Sequence, residues 1–351
     1  MKTQILGLDG KPIVLTPQEL ASAAALQREF RAKELHNSLG FEINITTLTA
    51  ISKSIVEQKF YQIAPAKYVP VRVGQNAWST QITTYLDFSV AGDFEAGIVN
   101  TGASNSRLAE ADSGVAPVFN KVVNWAKGIT YSMFDLKFAA TSGNWDVVTS
   151  KERARKKNWD LGIQQIAFWG SKVDTAVNGL LTLPNVNSNT SLITGAISAM
   201  NAANFSAFVA GLIEAYRNNC ARTAYPTHFI IPESDYNGLA NLIPGSAGTF
   251  PYPMMKYLLD AFKMITGNEN FQILPCSYAN EAINTGITGL GKNRYTLLNY
   301  DEDTVRMDIP VDYSNTLQNT INGFNFQNVG YGQYTGVKAF RPLEVLYFDY
   351  T

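Results

Sequence analysis

The chain has 351 residues, of which 46% are hydrophobic and 16% charged, and its formal net charge at pH 7 is −1. This length allows one large hydrophobic core or two lobes. A net charge near zero excludes a global field that would attract nucleic acid or a membrane, so any nucleic-acid contact must come from a local patch. The charged share is low, and such a surface is typical of proteins that bury area against partners.

The cysteines and the apolar runs indicate where the chain folds. With only Cys220 and Cys276, a disulfide framework is excluded, and we expect two buried free thiols in a reducing compartment. The start, MKTQILGLDGKPIVL, lacks an apolar stretch of signal-peptide length, and no run of about 18 apolar residues occurs. We therefore expect a cytoplasmic product without a membrane span.

The first predicted element is a helix from Thr16 to about Leu39. Thr16 can cap it, Pro17 suits the first helical position, and Glu19 completes a capping box. Gly40 supplies a left-handed stop. The apolar stripe of this segment is thin, which favours an arm that lies against something else.

Extended structure is predicted next, from Tyr68. YVPVRV, WSTQITTYLDFSV and VFNKVVNWAKGITYSM are rich in β-branched and aromatic residues. Between the last two lies the segment 91–117, rich in Gly, Ala, Ser and Asn, and a loop of that length is usually functional or disordered. Two strands that lead to such a tip and back predict a projecting hairpin.

One long helix is predicted from Asp146 to Trp169, about 36 Å in length, with Asn144 as a candidate cap. Its second half is apolar on most sides and should be packed. Its first half carries a basic cluster, formed by Lys151, Arg153, Arg155, Lys156 and Lys157. The cluster is either a solvated helix face or a patch that contacts phosphates without reading base sequence.

The helix leads into FWGSKVDTAVNGLLTLPNVN, residues 168–187, where Gly170 and Gly179 are candidate hinge positions. Beyond it, helices are predicted over 204–220 and 253–265. THFIIP, FQILPC and RYTLLNYD are predicted strands, and the tail from Phe324 to Tyr350 is extended. This pattern predicts an α+β fold with an elongated first lobe and a mixed second lobe.

The sequence offers no coherent catalytic, cofactor or metal site. Residues 286–293 approach the phosphate-loop pattern, but Asn293 replaces the hydroxyl residue and a strand follows, so we predict an ordinary glycine-rich turn. His36 and His228 lack nearby partners for zinc. The acidic run 301–303 is predicted as a solvated turn, since its spacing is not that of a calcium loop.

The order of these parts along the chain resembles that of a known protein family. Three pieces are the most specific: the aromatic-Gly helix end followed by GLLTLPN, the step PESDY at 232–236, and the closing GVKAFRPLEVLY. From about Tyr68 to Thr351 the chain resembles the major capsid proteins of tailed bacteriophages. Their Hong Kong 97-type fold is shared with encapsulins.

The resemblance implies a division of the chain. Residues 1–65 would form an N-terminal arm, and 66–130 an extended loop lying over a neighbouring subunit. Residues 131–199 and 326–351 would form a peripheral domain with the long helix as its spine, and 200–325 an axial domain. The segment 168–187 would then join the two lobes of a shell subunit.

The resemblance also implies a function. The chain would assemble with itself, through pentamers and hexamers, into an icosahedral head around a double-stranded DNA genome, with no cofactor and no enzymatic activity. Portal, scaffolding and decoration proteins are expected partners; scaffolding is expected to be absent or separately encoded, since only about forty residues precede Phe41. It would reside in the virion capsid, and in the host cytoplasm during assembly. An encapsulin-type compartment, and an α+β enzyme using Cys220 or the Asp301 cluster, are the alternatives.

Overall fold

The computed structural model describes residues 4–6, 12–14, 60–90, 112–141, 147–242 and 253–350. The predicted helix at 16–39 and the tip at 91–111 lie outside these residues. Among the described helices, none is both long and apolar enough to cross a bilayer.

The described strands are numbered in chain order. They are β1 Gln4–Leu6, β2 Pro12–Val14, β3 Val71–Val73, β4 Gln81–Val90, β5 Asp112–Ser132, β6 Asn187–Asn189, β7 His228–Pro232, β8 Gln272–Cys276, β9 Asn293–Leu298, β10 Val305–Ile309, β11 Val311–Asn315, β12 Asn319–Thr320, β13 Asn325–Thr335, β14 Val337–Ala339 and β15 Val345–Tyr350. Every predicted strand is present, and β5 begins at Asp112, so part of the predicted soft segment is strand.

The described helices are α1 Met133–Thr141, α2 Val147–Trp169, α3 Ala202–Asn219, α4 Glu233–Gly238, α5 Met254–Thr266 and α6 Glu281–Thr288. The long helix α2 is confirmed, and so is the predicted helix at 253–265. This helix, α5, ends at Gly267, which has the left-handed conformation. Helix α1 was not predicted. Its start carries a reciprocal cap, because Ser132 Oγ accepts from the Asp135 N–H and the Asp135 carboxylate accepts from the Ser132 N–H.

Beyond the small β1–β2 pair, the described strands form three sheets. The first has the order β11-β13-β5-β4, with β12 added beside β13, and the second is β14-β10-β3. The third has the order β6-β15-β9-β7-β8. β6 and β15 come from the predicted peripheral segments and β7 to β9 from the predicted axial segment, so this sheet joins residues of both.

The chain divides into two compact units. Unit 1 comprises Met1–Tyr61, Lys127–Lys157 and Asn315–Val329. Unit 2 comprises Gln62–Ala126, Asn158–Ser314 and Gly330–Thr351. The packed core of unit 2 surrounds the third sheet, where all residues of β7 are buried, as are those of β9 and β15 except one terminal residue each.

The core of unit 2 has an apolar part and a polar part. Phe229, Tyr295 and Phe348 are fully buried in one of two apolar clusters, beside α3 and α5. Between β9 and β15, the Arg294 guanidinium donates to both carboxylate oxygens of Asp349 at 2.7 Å. This bidentate geometry compensates the cost of burying the two charges.

Candidate functional site

The basic stretch of α2 lies in unit 1, and its side chains differ in their exposure and contacts. Arg155 is only 2% exposed. Its guanidinium donates to the carbonyls of Lys127 and Asn328 and to the side-chain oxygens of Asn315 and Asn328. Arg155 therefore binds backbone within its own unit, and its assignment to an exposed basic patch is corrected.

Local contacts hold two further members of the basic stretch. Lys151 Nζ donates to the Thr130 carbonyl at 2.8 Å. Lys157 Nζ lies 4.2 Å from the centre of the Phe60 ring, a cation–π contact. Arg153 and Lys156 are exposed. Both side chains are therefore accessible to solvent.

The two candidate hinge glycines lie against each other in unit 2. Gly170 has φ +78°, and it forms an antiparallel bridge with Asn178. A Cβ on Gly170 would lie 2.3 Å from the Val177 carbonyl oxygen, and one on Gly179 would lie 2.3 Å from the Trp169 backbone nitrogen. Two backbone segments thus cross in direct contact, which is a geometry that only glycine permits.

A third glycine closes this crossing from the other side. A Cβ on Gly336 would lie 2.7 Å from the Asn178 nitrogen. The Val337 N–H donates to the Asn178 carbonyl at 2.7 Å, and the Ser171 N–H donates to the Val177 carbonyl at 2.8 Å. These close contacts describe a tightly packed joint rather than a loose one.

The pairing of β4 with β5 forms a two-stranded ribbon in unit 2. Here the ribbon means Gln81–Val90 paired with residues 112–121 in one unbroken antiparallel register. Directly opposite residues share a face in such a pair. Thr83 lies opposite Phe119, Tyr85 opposite Pro117, and Asp87 opposite Val115.

These six residues form what we call the exposed ribbon face. Tyr85 is 68% exposed, Val115 61% and Phe119 54%. The opposite face, which carries Ile82 and Val118, is buried or half-buried over its described side chains except Asp112 at the end of the ribbon. The exposed ribbon face therefore leaves large apolar side chains in water, which marks an interaction surface.

The residues considered as catalytic, phosphate-binding or metal-binding groups lie in environments that serve the fold. Both cysteines are buried free thiols, as predicted, and burial raises the pKa of the Cys276 thiol to about 12. Of the predicted glycine-rich turn at 286–293, residues 289–292 form a turn between α6 and β9, with Gly289 and Gly291 at positive φ. Residues 286–288 lie instead in α6, a helix that was not predicted. His228 is buried and stacks on Tyr300 at 4.6 Å. Over the described ranges, no group of three or more His, Cys, Asp or Glu side chains could hold a metal ion.

The acidic residues after β9 also serve the fold. The predicted turn at 301–303 lies between β9 and β10, where Glu302 pairs with Arg72 and Asp301 lies 3.8 Å from Arg341. Asp308 is buried, and burial raises the pKa of its carboxyl although Arg306 at 3.2 Å opposes that shift. Each of these carboxylates already has a cationic partner.

The sequence analysis expected residues 66–130 to lie over a neighbouring subunit, but it did not identify the side chains of the exposed ribbon face. The signal was present in TTYLD, where Tyr85 alternates with residues that turn inward. Its apolar partners, Val115 and Phe119, lie on the other strand, so pairing in register was needed to bring them together. The structure thus adds Tyr85, Val115 and Phe119 to the candidate functional residues, and it removes Arg155 from the exposed basic patch.

Comparison with known proteins defines the class. A family model described as major capsid protein matches residues 95–351. That match covers well over half of the sequence, and the chain belongs to the major capsid protein family. No curated protein matches the sequence closely enough to count as a relative.

Solved structures show the same fold. The capsid of Myoviridae phage XM1 matches with a TM-score of 0.70 at 16% identity, over 87% of this chain and 97% of that one. Mycobacterium phage Bobi matches with a TM-score of 0.55 at 12% identity, over 88% and 97%. The capsid of a native GTA particle matches with a TM-score of 0.55 at 12% identity, over 90% and 98%. The chain therefore has a mixed helix-and-sheet fold like that of phage capsid proteins.

Proposed function

We propose that this chain assembles with copies of itself, through pentamers and hexamers, into an icosahedral head that encloses a double-stranded DNA genome. The observation that carries the proposal is the exposed ribbon face on a member of the major capsid protein family. Large apolar side chains on a thin ribbon cost free energy in water, and contact with a neighbouring subunit would recover it. Stable obligate interfaces commonly bury about 2,000–5,000 Å².

The parts of the chain follow the Hong Kong 97-type plan in this proposal. Residues 1–65 form the arm, 66–130 the extended loop, 131–199 and 326–351 the peripheral domain, and 200–325 the axial domain. The ribbon belongs to the extended loop and lies over the next subunit. The protein functions in the virion capsid after assembly in the host cytoplasm, where portal, scaffolding and decoration proteins are its further partners.

The joint at Gly170 and Gly179 has a defined role in this plan. Pentamers and hexamers require one sequence to tolerate two curvatures, and rotational contacts of this kind close into rings. The tight crossing supports a rigid joint, which fixes the direction that the chain takes after α2. We assign bending to other parts of the subunit.

The basic stretch of α2 supplies the DNA-facing part of the proposal. Arg153 and Lys156 are the exposed members, and two to four such charges per subunit would screen phosphates without reading sequence. Lys151 and Lys157 contribute charge from their local contacts. The net charge of −1 for the whole chain limits this to a local effect.

Electron microscopy of the expressed full chain tests the proposal directly. We expect closed shells or capsomer rings. A chain that stays monomeric at all concentrations would overturn the proposal. Nuclease treatment of particles from infected or induced cells gives a second readout, and we expect protected DNA. Shells that protect a cargo enzyme and no DNA would instead identify an encapsulin-type compartment.

Charge reversal on α2 tests the DNA-facing assignment. We expect Lys156→Glu with Lys157→Glu to leave empty-shell assembly intact and to lower the amount of retained genome. Arg153→Glu with Lys156→Glu avoids the Phe60 contact and should give the same result. Lys256→Glu, at an exposed position on α5, is the matched control. Equal DNA content in mutant and wild-type particles would remove the assignment.

A further inference from the structure

A cavity of about 260 Å³ lies against the second half of α2, and all the residues that line it belong to unit 2. We call it the α2 cavity. Three aromatic rings form its walls, from Trp159 of α2, Trp125 of β5 and Tyr334 of β13. The rings of Trp125 and Tyr334 lie 5.1 and 6.0 Å from that of Trp159. Pockets for small-molecule ligands are commonly larger, about 300–1,000 Å³, so this cavity suits one large side chain.

The rim of the α2 cavity has the chemistry that an indole ring requires. Lys172 is exposed at the rim and offers a cation to an aromatic face. Asn158 and Gln165 carry amide oxygens that accept hydrogen bonds, and a buried tryptophan usually donates its N–H to such a group. Apolar walls with a cation and amide groups at the rim favour tryptophan over an aliphatic side chain.

Trp78 presents an exposed indole from a strained loop before β4. Its side chain is 69% exposed. Gly74, Asn76 and Trp78 have φ of +81°, +58° and +64°, and the left-handed conformation is unusual for a bulky aromatic residue. The Trp78 N–H donates to Gln333 Oε1 at 2.8 Å, and the Ser79 hydroxyl donates to the Asn76 carbonyl at 2.7 Å. Strain that is enforced in this way concentrates at binding and switch sites.

Trp78 and the α2 cavity lie on opposite faces of one sheet. Successive side chains of a strand point to opposite faces. On one face of β13, Tyr331 has its ring 5.9 Å from that of Trp78, and Gln333 binds the Trp78 backbone. Tyr334 points to the other face, where it packs against Trp159. The sheet therefore separates the Trp78 indole from the cavity of its own chain.

The α2 cavity continues the exposed ribbon face along β5. Residues of β5 at a spacing of two share a face, so Phe119 of the exposed ribbon face and Trp125 of the cavity wall lie on the same side. Lys121, between them, agrees with this alternation, because its Nζ binds the Asp174 carboxylate at 2.5 Å, next to the cavity residue Val173. A neighbour that covers the exposed ribbon face would therefore also cover the cavity.

We propose that Trp78 of one copy of this chain inserts into the α2 cavity of the next copy. The inference rests on the proposed self-assembly. In a head-to-tail arrangement, the copy that meets the exposed ribbon face presents its own opposite sheet face, from which Trp78 projects. Each subunit then uses its indole with one neighbour and its cavity with the other, a heterologous contact of the kind that closes into rings. A tryptophan in a desolvated pocket is also the commonest type of dominant interface contact.

Removing the indole and filling the cavity should have the same effect. Gly162 lines the α2 cavity, and a Cβ there meets nothing within 4 Å, so Gly162→Leu places a side chain in the open space. Gly162→Ala is the matched control, because it fills far less of that space. We expect Trp78→Ala and Gly162→Leu each to reduce shell yield about tenfold or more without lowering the urea unfolding midpoint, and Gly162→Ala to assemble like the wild type. The double variant should assemble no worse than either single one, since both changes remove one contact.

Cross-linking between copies tests where the contact lies. Ala77→Cys and Val173→Cys keep Trp78, both positions are exposed, and the two native thiols are buried. In shells assembled from a mixture of the two variants, a short bismaleimide should join an Ala77→Cys chain to a Val173→Cys chain. Met264→Cys, at an 84% exposed position on α5, replaces Val173→Cys in the control mixture and should not be joined.

The outcomes separate this contact from self-assembly as such. Normal shell yield from both Trp78→Ala and Gly162→Leu, without the mixed cross-link, would overturn the contact and leave self-assembly intact. Loss of shells in Gly162→Leu alone would overturn it too, and would show that another segment fills the cavity. Absence of wild-type shells would reject the proposed function and this inference with it. If Trp78→Ala or Gly162→Leu fails to fold, the cross-link decides.

Discussion

The third sheet and the ribbon are both β structure in unit 2, and they differ in almost every physical respect. β7, β9 and β15 are buried almost throughout. HFIIP and VLYFDY are mostly apolar, while β9, NRYTLL, also buries the polar side chains of Arg294 and Thr296. In the ribbon, apolar and polar residues alternate in a less regular way, and Tyr85, Val115 and Phe119 remain mostly in water. The central strands of the third sheet are covered within one chain, whereas the ribbon leaves one apolar face exposed.

This difference separates two kinds of information in one sequence. Residues of the third sheet determine whether the chain folds, because their removal leaves cavities or unpaired charges. Residues of the exposed ribbon face are expected to determine what the folded chain does with its neighbours. Substitutions in the third sheet should therefore lower the free energy of unfolding of the free chain. Substitutions in the exposed ribbon face should leave that free energy nearly unchanged and reduce assembly.

The largest effect on folding is expected at the buried ion pair of the third sheet. Arg294→Met would leave the Asp349 carboxylate buried without its cation, where the paired side chains are only 10% and 4% exposed. We expect a loss of about 3–5 kcal/mol in the free energy of unfolding, measured by urea denaturation of the unassembled chain. Arg222→Met is the control, since Arg222 and Glu214 are 65% and 58% exposed and their pair should contribute about 0–1 kcal/mol. Similar losses for both variants would contradict the assignment.

The glycine crossing should respond next. Gly179→Ala places a Cβ against the backbone at Trp169 and Gly170, and no rotamer can relieve that overlap. We expect a loss of about 1–3 kcal/mol or more in the free energy of unfolding. Gly162→Ala, inside α2, meets nothing within 4 Å and should stabilise the chain by about 0.5–1 kcal/mol. If Gly179→Ala were as well tolerated as Gly162→Ala, the joint would be loose after all.

A smaller effect is expected at His228, at the start of β7. Burial lowers the pKa of its imidazole to about 4, against about 6.5 in the unfolded chain. Between these values the unfolded chain binds the proton and the folded chain does not, so stability is complete above pH 6.5 and falls as the pH drops towards 4. We expect a loss on the order of 2 kcal/mol over that window.

The replacement His228→Phe checks this sign. It keeps a ring against Tyr300 and removes the titrating group, so the part of the pH dependence between 4 and 6.5 that His228 causes should disappear. The measurement is the urea midpoint of both proteins from pH 7.5 to pH 4.5, with His36 present in each. An unchanged pH dependence in the variant would exclude His228 as its source.

The sequence was sufficient where local pattern and burial agree. The buried strand β7 has a short continuous apolar run, and α5 has both its helical period and its glycine stop. Helix α1 was missed because MFDLKFAAT follows a strand-like run without a break. The Ser132 and Asp135 capping box was the available signal.

Two features of the candidate sites depend on tertiary structure to different degrees. Arg155 lies four residues before Trp159 and eight before Ile163, both buried, so helix periodicity could have placed it on the packed stripe of α2. The contact between Gly170, Gly179 and Gly336 joins segments far apart in sequence. Turn glycines and close-approach glycines look alike in a sequence, so that crossing needed the structure.

The ribbon should show the smallest effect on folding and a large one on assembly. Tyr85→Ser with Phe119→Ser changes two side chains that are mostly solvated, so the free energy of unfolding of the free chain should shift by about 0.5 kcal/mol or less. Shell yield, measured by sedimentation and electron microscopy, should fall strongly because the apolar contact with the neighbour is lost. Leu297→Ala in β9 is the opposite case: it should cost the free chain about 2–5 kcal/mol, while any shells that form at low temperature keep normal contacts. If the ribbon variant destabilised the free chain as much as Leu297→Ala, the ribbon would belong to the fold of one subunit, and its apolar face would not be a surface kept for another.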